Sequence, residues 1–331
     1  PLGALPFIVE ELSKRDLFCP FQEENVETPY GKLHCTMTGT VRSNHPVILT
    51  FHDVGLNYKS CFGALFDHED MQEIIRHFPH CHVEAPGQQE GAKTLPAAYT
   101  YPSMDQLSEA LTAVLKHFGM RSVIGLGVGA GAYALAKLAL NHPELVEGLV
   151  LINIDPNSKG LMNSVANKVV SSNRWLSRCF LQEEIENNHD LIATYRHYIT
   201  ATMNQANVSQ FLRSYNSRNA LEVERPIPGG NINARTLKCP TLLVVGDNSP
   251  VVESVVDCNA KLNPTKTTLL KMADCGGLPQ VDQPAKMIEA IKYFIQGMGY
   301  LSYASMTRLR SRTTSSSSIS SFDGSRSRSH T

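Results

Sequence analysis

Short apolar runs alternate with amphipathic segments along most of this chain of 331 residues. The runs PVILTFHD, HCHVEAPG, RSVIGLG and VEGLVLINID are rich in apolar residues, which is typical of strands covered on both faces of a parallel sheet. The runs CPTLLVVGD and TTLLKMAD continue the series near the end of the chain. Helical periodicity predicts helices between the strands, over 69–78, 129–141 and 284–296, and a further one that begins after Ser103 and ends before Gly119. The alternation predicts an α/β fold with a doubly wound, mostly parallel sheet.

The pattern changes in the middle of the chain and at both ends. A hairpin that turns at Gly31 opens the core after an irregular start, and from 156 to 235 only helical periodicity is found, for example over 190–203. The last thirty residues are mostly Ser, Thr and Arg, so apolar burial there cannot offset the entropy of ordering. We therefore predict an irregular N-terminal segment, a core in two parts, an inserted helical cap and a disordered tail, over 1–24, 25–155 with 236–300, 156–235 and 301–331.

Charge and cysteine usage narrow the function classes. The net charge of −1 is the sum of about +4 on the tail and about −5 on the rest of the chain. Because the core is negatively charged, we expect it not to attract nucleic acid. Eight cysteines occur without a C-x-x-C pair, as expected of reduced thiols in a cytosolic protein. We expect a cytoplasmic protein, with nuclear or membrane association as the alternatives.

The stretch GLGVGAGAYAL is the most informative motif. Gly127-Val128-Gly129-Ala130-Gly131 matches the G-x-S-x-G corner on which α/β-hydrolases hold their nucleophile, except that Gly129 replaces the serine. A glycine-rich dinucleotide loop is the alternative, but it fits the spacing poorly and this strand is far from the first. Because NHPELVEGLVLIN follows the helix and FHDVG follows an earlier strand, as in many α/β-hydrolases, we predict an α/β-hydrolase-like fold.

The other catalytic positions also lack their usual groups. Ser249 lies where the acid is expected after LLVVG, and Gly277 lies where ADCGGLPQ should carry the histidine. Asp247 and Asp155 are the alternative acids. Removing one member of such a relay costs orders of magnitude in rate, so we predict no ordinary serine-hydrolase activity.

Several further side chains are candidate sites. In the oxyanion loop His52 precedes Asp53, whose carboxylate would oppose a developing negative charge. Cys275 is the best alternative nucleophile, and the strand pair His80 and His82 lacks the spacing of a metal site, so no metal or cofactor is predicted. If the ancestral pocket persists as a ligand site, its candidate residues are His52, Asp53, Val128, Gly129 and Asp155.

Several stretches together resemble one family. HCHVEAPGQQEGA, GVGAGAYALAKLALNHPELVEGLVLINIDP and TLLKMADCGGLPQ are similar to the N-myc downstream-regulated protein family, and the similarity extends from about Asn25 over nearly the whole chain. The resemblance implies a non-hydrolytic α/β-hydrolase-like protein, mainly cytoplasmic, associated with stress response, differentiation and growth control. The chain departs from the family at 161–166, where LMNSVA replaces a tryptophan-rich stretch, so we expect no partner surface built from those rings.

The tail carries candidate regulatory sites. Three R-x-R-x-x-S/T motifs end at Thr313, Ser315 and Thr331, and the resemblance implies that Arg-directed protein kinases act on such a tail. Weak contact with anionic lipid or RNA is the alternative role of this charge. We interpret the chain as a non-enzymatic adaptor or signalling protein whose protein partners the sequence does not identify. A small-molecule receptor that uses the old pocket and a hydrolase with relocated catalytic residues remain the alternatives.

Overall fold

The computed structural model describes residues 21–158, 189–231 and 233–301. Its centre is an eight-stranded sheet in the order β1-β2-β4-β3-β5-β6-β7-β8. The strands are β1 Phe21–Thr28, β2 Gly31–Thr38, β3 Val47–Phe51, β4 His80–Glu84, β5 Val123–Val128, β6 Val146–Ile152, β7 Thr241–Gly246 and β8 Thr267–Met272. β2 pairs antiparallel with β1 and β4, and all the other neighbours are parallel, so the predicted doubly wound sheet is confirmed.

Helices cover both faces of this sheet. They are α1 Tyr58–Phe66, α2 Glu69–Ile75, α3 Met104–His117, α4 Ala130–Asn141, α5 His189–His197, α6 Gln205–Asn216, α7 Val252–Lys261, the single turn α8 Pro279–Asp282 and α9 Pro284–Gly297, with a π-helical turn over Tyr198–Thr202. The buried side chains of α3, α4 and α7 belong to one apolar cluster, and those of α1, α2 and α9 belong to a second. The sheet therefore separates two cores, as the alternation of its connections requires.

Local sequence explains most helix bounds. Ser103 caps α3 by accepting a hydrogen bond from the Gln106 N–H, whose side chain bonds back to Ser103, and the chain turns at Gly119 with a φ of 67°. The helix predicted over 69–78 ends at Ile75 instead. The physical reason lies just beyond it, because Phe78 precedes Pro79 and a residue before proline is disfavoured in helical conformation.

Two boundaries predicted from the pattern differ from the structure. β1 begins at Phe21 within the segment predicted to be irregular, because residues 21–24 pair with 35–38 of β2. Most of β1 is exposed, so no apolar alternation marked its start. Leu301, assigned to the tail, is buried in the second apolar cluster. The rest of the predicted tail and residues 159–188 of the predicted cap lie outside the described residues.

Candidate functional site

The corner between β5 and α4 has the backbone of a nucleophile turn. Gly129 adopts a φ of 54° and a ψ of −108°, a strained conformation that L-residues rarely take. A Cβ at Gly127 would lie 2.6 Å from the Ala132 N, and one at Gly131 would lie 1.9 Å from the Phe51 O. Strand and helix therefore approach so closely here that only very small residues fit.

Asp53 occupies the space in front of this corner. Its Oδ1 accepts hydrogen bonds from the Val54 N–H and the Ala130 N–H, both at 2.8 Å. A Cβ at Gly129 would lie 2.2 Å from the Asp53 Cγ, so a side chain at 129 and this carboxyl group exclude each other. In α/β-hydrolases the N–H after the nucleophile and one N–H of this loop bind the oxyanion. Here both N–H groups are bound to the carboxyl group of the chain itself.

His52 is used to build the loop. Its Nδ1 lies 2.8 Å from the Asp53 O, and its Nε2 accepts a hydrogen bond from the Ala85 N–H at 3.0 Å. This pattern assigns the proton to Nδ1 in a neutral ring. Burial lowers the pKa of His52 to about 4, and the ring stacks on Phe51 and contacts the edge of Phe211. Both ring nitrogens therefore fix the backbone on either side of the loop.

An amide connects the positions of the acid and the histidine. Ser249 Oγ donates to Asn153 Oδ1 at 3.2 Å, and Asn153 Nδ2 donates to the Gly277 O at 2.6 Å. Asn153 has a φ of 53°, a conformation that asparagine tolerates better than most residues. Asn153 is not among the site residues predicted from the sequence, although an asparagine directly after a buried strand is a signal for this conformation. A neutral bridge thus stands where a hydrolase carries its charged relay.

The alternative acid Asp247 lies after β7 and the alternative nucleophile Cys275 lies after β8, and hydrogen bonds join their two loops. Asp247 accepts the N–H groups of Asp274 and Cys275, both at 3.1 Å, and these bonds lower its pKa. The buried Cys275 thiol lies 3.9 Å from Asp282 Oδ2, whose pKa is raised by burial. A carboxyl partner of this kind does not favour a thiolate, which is the nucleophilic form of cysteine. These contacts hold the loop before α8 in place.

Asp155 fixes the cap to the core. The buried Arg218, just beyond α6, donates from Nη2 to Asp155 Oδ2 at 2.7 Å. The guanidinium carbon of Arg218 lies 3.9 Å from the centre of the Tyr215 ring, within cation–π range. The side chain of Asn207 adds three hydrogen bonds, to the Gly87 O, the Lys93 O and the Leu95 N–H. The end of the cap is therefore joined to the core by buried polar contacts that the sequence pattern did not indicate.

Of the candidate pocket residues, Asp53 and Gly129 lie together at the corner, while Val128 is buried in the second apolar cluster. Cavities of 670 and 360 Å³ are lined by other residues, the larger one between α6 and residues 97–106.

His80 and His82 lie in an aromatic cluster between the sheet and α1. Their rings are 5.2 Å apart and pack against Phe66, and His82 Nδ1 bonds Thr50 Oγ1 at 2.7 Å. Burial lowers the pKa of His80 to about 4 and that of His82 well below its usual value. Both rings therefore act as neutral packing groups in this structure.

Over the described ranges, no three His, Cys, Asp or Glu side chains are grouped so as to hold a metal ion. The helices described here are also too short or too polar to cross a bilayer. Thr313, Ser315 and Thr331 lie outside the described residues.

Solved structures of hydrolases share this fold. A thermophilic esterase from Thermogutta terrifontis aligns with a TM-score of 0.65 at 17% identity. The alignment covers 84% of this chain and 99% of the esterase chain. A hydrolase from Pseudomonas aeruginosa PA01 aligns with a TM-score of 0.62 at 18% identity, with 84% and 98% covered. These likenesses confirm the predicted α/β-hydrolase-like fold, and at such low identity they concern the fold alone.

Relatives of known family are much closer in sequence. Protein NDRG1 of Xenopus tropicalis is 60% identical over 308 residues, which are 91% of this chain and 78% of that protein. Protein NDRG3 of Xenopus laevis is 56% identical over 320 residues, covering 94% and 84%, and Protein NDRG4-A of the same species is 58% identical over 314, covering 93% and 80%. A sequence model of the Ndr family matches residues 23–302. The chain therefore belongs to the Ndr family.

Proposed function

We propose that this protein acts without hydrolysing a substrate, as an adaptor or signalling protein on an α/β-hydrolase-like fold. One observation carries the proposal: Asp53 Oδ1 accepts the two N–H groups that would otherwise stabilise an oxyanion. An acyl substrate would have to displace this carboxyl group before its carbonyl could reach either donor.

The remaining positions of the relay support the same conclusion. A Ser-His-Asp mechanism needs a nucleophile, a base that takes its proton and an acid that orients the base. Gly129 supplies no nucleophile, Gly277 supplies no base, and Ser249 bonds an amide instead of an imidazole. Each position can still hold the backbone in shape, which explains how the fold persists without the chemistry.

Regulation belongs to the tail in this proposal. The family resemblance implies a cytoplasmic protein of stress response, differentiation and growth control, whose tail is phosphorylated by Arg-directed kinases. Thr313, Ser315 and Thr331 are the proposed acceptors. Each phosphate adds about −1.5 to −2 charges, so two of them would cancel the charge of about +4 that the tail carries and change the partners it attracts.

The test uses the full chain with fluorophosphonate and thiol-directed probes and a panel of activated esters. We expect no turnover above that of the heat-denatured protein and no labelling of a folded-state nucleophile. Turnover that disappears on Ser249→Ala or Cys275→Ser, with folding unchanged by circular dichroism, would overturn the proposal.

The regulatory part has its own test. Affinity capture from the same lysate is compared between the kinase-treated chain and a chain in which the three acceptors are alanine, treated in the same way. We expect different sets of captured proteins. Identical sets, with phosphate on the unsubstituted tail verified by mass spectrometry, would contradict the role of the tail.

A further inference from the structure

A cavity of 360 Å³ lies away from the hydrolase-like corner, where the β1–β2 hairpin, the end of β4 and the start of α1 meet. Its volume is within the range of sites that take small molecules or single side chains. Most of the lining residues carry polar or charged side chains, and they include Glu23 and His34 of the hairpin, Glu84 of β4 and Asn57 before α1.

Glu84 is the deepest charged group of this cavity, with 1% of its surface exposed. Its Oε1 accepts a hydrogen bond from the Tyr58 N–H at 3.1 Å. Its Oε2 lies 4.0 Å from His34 Nε2, but that nitrogen is closer to Glu23 Oε1, at 2.9 Å. Burial raises the pKa of Glu84 to about 7. A buried carboxyl group with one oxygen this poorly compensated is suited to a cationic ligand.

Asn57 provides a second, independent observation. Its Oδ1 caps α1 by accepting from the Ser60 N–H at 3.0 Å, which fixes the orientation of the amide. The Nδ2 of this residue, which is 1% exposed, makes no short hydrogen bond among the described residues and lies near the buried Tyr198 hydroxyl, which also lacks one there. The buried Gln89 Oε1 on the same cavity is also unpartnered there. Buried amide groups are nearly always hydrogen-bonded in proteins, so an unfilled donor and an unfilled acceptor on two residues that line one cavity favour a ligand there.

We propose that this cavity binds an organic cation, an ammonium or guanidinium group, with Glu84 as its counter-ion. Gln89 Oε1 accepts a second N–H of the cation, and Asn57 Nδ2 donates to an acceptor elsewhere on the ligand. The positive Lys59 does not compete, because its Nζ is paired with Glu90 at 2.7 Å at the exposed rim. An organic cation is favoured over a metal ion because the described residues contain no group of three metal-ligating side chains.

Two sources share this chemistry: a free amine, and the arginine side chain of a peptide. Agmatine represents the first, and N-acetylarginine amide represents the second. N-acetylcitrulline amide is the neutral control, since it has nearly the shape of the arginine compound without its charge. Each is titrated into the full chain by isothermal calorimetry.

We expect saturable one-to-one binding of at least one cation and none of the citrulline compound. Binding of agmatine alone assigns the site to free amines, whereas binding of the arginine compound alone assigns it to peptides. If neither cation gives a heat of binding, or if the citrulline compound binds as well as the cations, the proposal is overturned.

Variants locate the binding. Glu84→Gln keeps the acceptor for the Tyr58 N–H and should weaken binding at least tenfold, whereas Asn57→Ser keeps the helix cap and should weaken it less. Glu27→Gln removes the same charge from an exposed position of β1 outside the cavity, and should leave affinity within twofold. Circular dichroism and urea unfolding check that each variant is folded. Unchanged affinity in a folded Glu84→Gln would refute the assignment, whatever the outcome of the hydrolase tests.

Discussion

Restoring a serine at the corner tests the role of Asp53 directly. The substitution Gly129→Ser places a Cβ 2.2 Å from the Asp53 Cγ, so the carboxyl group has to leave its position. Both of its hydrogen bonds, to Val54 N and Ala130 N, are then lost. The same two bonds are lost, without any clash, in Asp53→Gly.

The magnitudes follow from these contacts. Hydrogen bonds accepted by a carboxylate contribute about 1.5–3 kcal/mol each, so their loss costs about 3 kcal/mol or more in either single variant. A side chain at a φ of 54° adds about 1 kcal/mol in Gly129→Ser. In the double variant the bonds are lost only once, so its cost is about 4 kcal/mol instead of the sum of about 7. The cycle should therefore show a coupling of about 3 kcal/mol.

The assay is urea unfolding at pH 7 of the unsubstituted chain, the two single variants and the double variant, followed by circular dichroism. We expect the free energy of unfolding of the double variant to lie within a few tenths of a kcal/mol of that of Gly129→Ser. Effects that add to within about 0.5 kcal/mol would refute the exclusion of a side chain at 129 by Asp53.

Three further predictions concern the supports of the site. His52 and His80 have pKa values of about 4 in the folded chain and of about 6.5 in the unfolded chain. As the pH falls, the unfolded chain therefore binds protons first. Each histidine should lower the free energy of unfolding by about 2 kcal/mol between pH 7 and pH 5. Over the same interval the raised pKa of Glu84 increases stability, so the measurement uses urea unfolding of Glu84→Gln. A loss of at least about 4 kcal/mol should appear there, because the lowered pKa of His82 adds to that of the other two histidines. Arg218→Met removes the buried ion pair of the cap and should cost about 3 kcal/mol, with faster amide hydrogen exchange in α6. Gly131→Ala forces a Cβ against the backbone of β3, and a cost of about 3 kcal/mol should lower the melting temperature by about 5 °C.

Each of these predictions has a matched control or a contradicting result. Gly297→Ala changes a helical glycine whose new Cβ meets nothing within 4 Å, and it should be neutral or stabilising. Arg213→Met removes an exposed arginine on α6 and should leave hydrogen exchange unchanged. If Glu84→Gln is equally stable at pH 7 and pH 5, the histidines are not held neutral by burial.

The sheet and the corner were predictable because local sequence determines them. Strands buried on both faces need continuous apolar runs, and β3, β5, β6 and β7 have them. The approach of α4 to β3 and β5 allows only very small residues at 127 and 131, so the motif is recognisable although it has glycine at 129. The helix α1 was missed because Gly63 weakens its pattern, although the capping box of Asn57 and Ser60 marks its start.

The contacts of the site were not predictable because they join distant parts of the chain. Asp53 bonds a residue 77 positions later, and Asn153 bonds one 124 positions later. The sequence placed a carboxylate near the oxyanion donors, but only the fold shows that it binds them. The pairing of Asp155 with Arg218 likewise depends on how the cap returns to the core.

The bonds of Asp53 also bear on how easily a serine nucleophile could arise at this corner during evolution. A back-mutation at 129 meets the carboxyl group, and a change at 53 removes two hydrogen bonds without creating a nucleophile. Each first step lowers stability and brings no activity that selection can favour. A serine at 129 therefore requires compensating changes elsewhere in the chain, so the present pair of Gly129 and Asp53 is entrenched.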